Sequence, residues 1–167
     1  MTFIIKTRRC YLRKLTTQDD LSRYLFWMST PKNNPFILSA RSNFELDELQ
    51  QFIRACNSSK DVVLLGVFTN DENLHIGNIK INEIDFINKS ATLGILIGDG
   101  DFRGKGIAGE VIEATILTIW KELGIQVYNL GVDPNNIPAL KLYKRLGFQI
   151  IEKSITSGIV MQLNKNL

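Results

Sequence analysis

Apolar residues recur along this chain with two periods, near 3.6 and near 2, and the switches between them divide it into elements. The strongest helical stripe is Ile107, Ala108, Val111, Ile112, Thr115, Ile116, Ile119, Trp120 and Leu123, closed by Gly124. Upstream, Thr16 to Asp20 supply cap chemistry for a helix through Leu21, Tyr24, Leu25 and Met28, which Pro31, Asn33, Asn34 and Pro35 break. Phe44, Leu46, Leu49, Phe52, Ile53 and Cys56 predict a second helix over about 43–57. Strand patterns occupy Tyr11–Leu15, Val62–Phe68, Leu74–Ile84 and Ala91–Ile97, the last three joined by short polar turns as an antiparallel meander. After the long helix come a strand over Val127–Val132, a short helix over Ile137–Leu146 stopped by Gly147, and a hairpin of Phe148–Ile155 with Ile159–Leu163. The order is strand, two helices, three strands, helix, strand, helix, two strands. It predicts an α+β fold, a mixed sheet with helices on its faces.

A chain of 167 residues, 44% hydrophobic and 22% charged, fits one soluble domain spanning 1–167. A net charge of +3 with scattered cations argues against nucleic acid. The apolar run near Met1 is too short for a signal-peptide core, and no stretch approaches the roughly 20 apolar residues of a membrane span. The expectation is a cytoplasmic protein without a membrane partner; oligomeric state is not readable. Cys10 and Cys56 lack metal or redox spacing and read as buried free thiols.

Candidate chemistry concentrates at Arg103-Gly104-Lys105-Gly106-Ile107-Ala108, between a strand and the mouth of the long helix. Glycines let a ligand approach the backbone, and a helix start offers unpaired N–H groups and positive dipole, so this run suits a phosphorylated ligand. A P-loop does not fit: Asp99 stands where its first glycine belongs, and Gly106 follows Lys105. The dinucleotide pattern matches as Gly104-x-Gly106-x-x-Gly109, but residues 99–103 intervene after the strand and an antiparallel region precedes it.

The same run resembles the (Gln/Arg)-x-x-Gly-x-(Gly/Ala) motif of the GCN5-related N-acetyltransferases (GNAT). The block from Val132 to Phe148, with Asn136-Ile137-Pro138-Ala139, Leu142-Tyr143 and Gly147-Phe148, is similar to that family's second signature. Leu12-Arg13-Lys14-Leu15-Thr16, Asp19 and Trp27-Met28 look like its ribosomal-protein-acetylating branch. The resemblance implies a central mixed, mostly antiparallel sheet of about seven strands with helices on both faces. It implies acetyl-CoA as cofactor and direct transfer to a primary amine, small-molecule or peptide, such as a protein N-terminus or a nucleotide-linked amino sugar.

Carried onto these residues, the resemblance assigns backbone contacts with the cofactor arm to Ile95, Leu96 and Ile97, and phosphate binding to Arg103, Gly104, Lys105, Gly106, Ile107 and Ala108. Gly94 and Gly98 read either as close-packing positions or as a bulge that turns this strand's backbone to the ligand. Asn136 is a helix N-cap, a cofactor contact, or both. Tyr143 is the general acid for the leaving thiolate. The base is open: Thr92 stands where relatives often carry Glu, leaving Glu83, Asp85 or a water, while His75, the sole histidine, reads as a turn cap. Thr92 also keeps a non-catalytic acyl-CoA-binding module in view.

Overall fold

The computed structural model describes residues 4–154 and 158–165. Eight strands form one sheet in the order β1-β2-β3-β4-β5-β6-β8-β7. They are β1 (Ile4–Lys6), β2 (Cys10–Lys14), β3 (Val63–Thr69), β4 (His75–Asp85), β5 (Ser90–Ile97), β6 (Val127–Val132), β7 (Gln149–Ser154) and β8 (Gly158–Asn164). Every neighbouring pair is antiparallel except β5 with β6. The helices are α1 (Ser22–Ser29), α2 (Leu46–Ser58), α3 (Ile107–Leu123) and α4 (Ile137–Arg145). Among the described residues, no helix is long and apolar enough to cross a membrane. The predicted strand end at Ile155 lies outside the described residues.

Period-2 alternation sends the two sides of the sheet into separate cores. Leu65, Val67, Ile79, Ile81 and Leu93 pack with Val111, Ile112, Ile116 and Ile119 of α3. Leu64 and Phe68 pack on the opposite face with Tyr24, Trp27 and Met28 of α1 and Leu49 and Ile53 of α2. Helix α3 therefore sits on one side and α1 and α2 on the other. Cys10 and Cys56 are buried free thiols.

Two helix starts differ from the sequence reading. Asp19 accepts hydrogen bonds from Thr16 and Arg13, and Leu21, with no side-chain bond, takes the cap of α1. Helix α2 begins three residues after Asn43, where Glu45 and Glu48 form a capping box. Gly124 closes α3 as expected, left-handed at φ 72°.

The β4–β5 ladder also tolerates no side chain at Gly77, where a Cβ would lie 2.2 Å from the Leu96 carbonyl oxygen. Gly77→Ala must push two paired strands apart, and overpacking of this kind costs about 3 kcal/mol. At roughly 2–4 °C per kcal/mol for a domain of this size, thermal unfolding of the variant is expected about 6–12 °C lower.

Candidate active site

Strands β5 and β6 pair only over Ser90↔Val127, Ala91↔Tyr128 and Thr92↔Asn129. Beyond that point β5 continues to Ile97 and β6 to Val132 without a ladder between them, while β4 and β8 still pair their outer edges. The result is a wedge-shaped gap whose walls are backbone N–H and C=O groups of residues 93–97 and 130–132. Such groups need a partner when covered, so the gap suits an extended, amide-bearing ligand. The β4–β5 register is continuous through Gly94 and the β6–β8 register through Val132, so the splay is a divergence of two regular strands and not a bulge at that glycine. Gly98 is a packing position: a Cβ there would fall 2.0 Å from the Trp27 ring.

At the open end of the gap, residues 103–106 lead into α3. Gly104 and Gly106 are left-handed at φ 70° and 78°, which directs successive amides outward as a nest. Among the described residues, the amides of 104–109 find no acceptor, whereas Glu110 N–H already bonds the Gly106 carbonyl. Arg9 braces the turn. Its backbone N–H and Nε each donate to the Glu110 carboxylate at 2.8 Å, and its Nη1 donates to the Lys105 carbonyl at 2.6 Å. Burial opposes charge on Glu110, yet bonds from Thr7 and Arg9 hold its carboxyl below the ordinary value.

The expected phosphate role of the Arg103 side chain does not match its placement. Its guanidinium donates to the carbonyls of Ile97 (2.8 Å), Gly98 (2.9 Å) and Asn33 (2.8 Å) and to Asn34 Oδ1. These bonds tie the end of β5 to the segment after α1, so Arg103 is a positioning residue for the gap. Lys105 is exposed, its Nζ 5.9 Å from the Phe102 ring centroid, and has no carboxylate partner among the described residues. Of the motif's two cations it is the one whose side chain has no hydrogen-bond partner among the described residues.

Helix α4 starts where β6 ends. Asn136 caps it, its Oδ1 accepting from Ala139 N–H at 3.3 Å, which leaves the side-chain NH₂ to donate elsewhere. Tyr143 is 8% exposed in the apolar cluster that holds Ile107 of α3 and Val132 of β6, its ring 5.9 Å from that of Phe148. Burial pushes its phenol above the ordinary value.

The candidates for the base separate by geometry. Asp85 holds its own turn: its Oδ1 accepts from the amides of Ile87 and Asn88. Hydrogen bonds, the Asn88 amide foremost, hold its carboxyl below the ordinary value, which weakens it as a base. Glu83 sits where the β4–β5 register shifts, left-handed at φ 53°, and accepts from the Thr92 hydroxyl at 2.5 Å. The irregularity turns the Glu83 carboxylate across to Thr92, the last residue of β5 paired with β6 before the gap.

His75 caps no turn. It starts β4, buried against Tyr24, Trp27 and Phe68, with Nε2 3.0 Å from the Gly77 carbonyl. Desolvation carries its pKa below the ordinary 6.5, hydrogen bonds only partly offsetting it. A depressed histidine stabilises the fold fully above the unfolded value of 6.5 and loses that contribution as pH falls below it. Unfolding temperature is expected to drop between about pH 7.5 and 5.5, and His75→Gln to flatten that slope.

A cavity of 590 Å³ lies on the α1–α2 side of β4 and β5, reaching Thr92, Gly94 and Leu96 from one direction and Phe36, Phe44 and Phe52 from the other. It adjoins the Glu83–Thr92 pair and the β5 side of the gap. Cys10 lines a separate small hollow with Lys105 and Ile107, closer to the motif than its place in the sequence suggests. Its thiol is pushed up by burial first and by Glu110 second, and that of Cys56 by burial, so neither is an activated nucleophile.

An open sheet with one splayed parallel pair, beside an amide-lined turn at a helix mouth, suits an extended ligand that bears amides and ends in phosphate. The profile of the acetyltransferase (GNAT) domain matches residues 9–149, and the chain belongs to that family. An uncharacterized protein of Methanocaldococcus jannaschii is 23% identical over 148 residues, covering 89% of this chain and 30% of that protein. The chain thus spans less than a third of the curated relatives it matches. Spermidine N-acetyltransferase from Vibrio cholerae, solved with CoA and spermine, superposes with a TM-score of 0.82 at 21% identity, covering 93% of this chain and 95% of that one. Ribosomal-protein-S5-alanine acetyltransferase from Vibrio fischeri gives 0.80 at 18%, covering 99% and 97%. The family implies acetyl-CoA as cofactor, and the residues fit it: free amides for phosphate, and unpaired strand edges for amide groups.

Proposed function

We propose that this chain transfers an acetyl group from acetyl-CoA to a primary amine, either a protein N-terminus or a nucleotide-linked amino sugar. One observation carries the reading: the ladder between β5 and β6 stops at Thr92↔Asn129, and the gap beyond it opens toward the unanswered amides of residues 104–109. Acetyl-CoA supplies the activated acyl group, leaving as the free thiol when the amide forms. Residues 104–109 and Lys105 Nζ bind phosphate, the β5 edge at Ile95, Leu96 and Ile97 pairs with the arm, and the Asn136 NH₂ adds a donor. The 590 Å³ cavity receives the amine.

Glu83 is the base. Its Oε2 is held by Thr92, leaving Oε1 to take the proton that the amine gives up on forming its new N–C bond. Tyr143 delivers its hydroxyl proton to the departing sulfur. Thr92 alone would favour a non-catalytic acyl-CoA-binding module; a carboxylate bonded to it speaks for catalysis. With both thiols buried, transfer is direct, and proximity within the gap contributes a large part of the rate.

Thiol release from acetyl-CoA, followed over peptides with free N-termini, amino-sugar nucleotides, polyamines and aminoglycosides, tests the reading. The expected result is amine-dependent release with a peptide or an amino-sugar nucleotide. Tight acetyl-CoA binding with no turnover on any amine would replace it with the non-catalytic module.

A further inference from the structure

We propose that the acceptor cavity selects an amine that also carries an anionic group, a carboxylate or a phosphate, and that Lys80 is the residue that holds it. The inference rests on the acetyl-transfer reading and narrows its acceptor. Asn78, Lys80 and Asn82 alternate along β4, so three polar side chains share the cavity floor while Ile79 and Ile81 face the opposite core. Lys80 is paired across the ladder with Gly94, where a Cβ would meet no atom within 4 Å, so the space beside it is open. Its Nζ lies 5.6 Å from the Phe52 ring centroid, along the apolar wall.

The charge of this cavity is one-sided. Among the described residues, no carboxylate lies within 4.0 Å of Lys80 Nζ. Glu48 also lines the cavity, but Arg41 is paired with it and the Glu45 N–H donates to it, which cancels its charge locally. Glu83 does not line it and accepts from Thr92. A lysine without a counter-ion in a largely apolar hollow attracts an anion and repels a polycation.

A second donor sits deeper. The Gly77 carbonyl can only accept, so His75 Nε2 carries its proton. Asn78 therefore presents Oδ1 to that N–H at 2.9 Å, and its Nδ2 is left as a buried donor without a partner among the described residues. An oxygen on the acceptor that reached the floor would answer it.

The anion can come from acidic residues behind a peptide N-terminus or from the phosphate of a nucleotide-linked amino sugar, and matched probes separate them. One arm compares N-terminal peptides carrying Asp or Asn at the following positions; the other compares an amino-sugar nucleotide with the free amino sugar. In the arm that holds the true acceptor, kcat/KM is expected to favour the anionic member by about tenfold to thirtyfold. Lys80→Gln should erase that preference, lowering kcat/KM for the anionic member by far more than for the neutral one, and Lys80→Arg should retain most of it. Equal turnover of charged and neutral members, a preference for spermidine, no effect of Lys80→Gln, or failure of every anionic probe would each overturn the inference. Calorimetry with acetyl-CoA alone separates the levels. A protein that binds acetyl-CoA yet shows no anion preference loses only this inference; one that binds none loses the acetyl-transfer reading and this inference with it.

Discussion

Glu83→Gln is expected to lower kcat for acetyl transfer by about 10²- to 10³-fold, the usual weight of a positioned general base. The amide keeps the size of the side chain and can still accept from Thr92, but it cannot take a proton from the amine. Acetyl-CoA affinity and unfolding temperature should hardly change, because Glu83 is exposed and touches neither the 104–109 turn nor either core. The Thr92 bond gives a sharper version of the test. Thr92→Glu in the Glu83→Gln background returns a carboxylate to the same few ångströms, and part of the lost rate should come back. Loss of activity that Thr92→Glu cannot recover, accompanied by a fall in stability, would mark Glu83 as structural only.

Tyr143→Phe should cost about 10²-fold in kcat, the lower end for loss of a general acid. The phenol is raised above its ordinary value of 10.0 by burial, so it is fully protonated at neutral pH and holds the proton a departing thiolate needs. Phenylalanine preserves the ring that packs near Phe148, so a large rate loss without a shift in unfolding temperature isolates the hydroxyl. Full turnover by Tyr143→Phe on the true acceptor would remove Tyr143 from the reaction.

What could be read from the sequence was whatever local chemistry decides. The apolar stripe from Ile107 to Leu123 and the glycine after it place α3 to the residue, because burial period and a left-handed cap are both written locally. Strand β1 escaped notice: three residues, Ile4–Lys6, carry too little alternation, and only pairing with Tyr11–Arg13 makes them a strand. The Glu45–Glu48 capping box was readable and outweighs the apolar Phe44 upstream of it.

At the site the division is the same. The glycines of the 104–106 turn announce backbone freedom in the sequence itself. The work of Arg103 depends on carbonyls at Asn33 and Gly98 and on the Asn34 side chain, and part of that set lies about seventy residues away, where no local pattern reaches. Glu83 looks like any turn carboxylate until the register shift aims it at Thr92. Asn78 and Lys80 read as the polar half of an alternating strand; the cavity over them exists only once α2 and the segment around Phe36 close above the sheet.

The gap and the amide turn stand or fall together on titration calorimetry of the folded wild-type chain with coenzyme A and with acetyl-CoA. Saturable binding of both at one site per chain is predicted, weakened at least tenfold by Gly106→Val, whose branched side chain cannot hold φ near 78° without strain. Absence of heat with either ligand, from material whose unfolding transition is cooperative, would contradict the assignment of residues 104–109 and of the splayed strands alike.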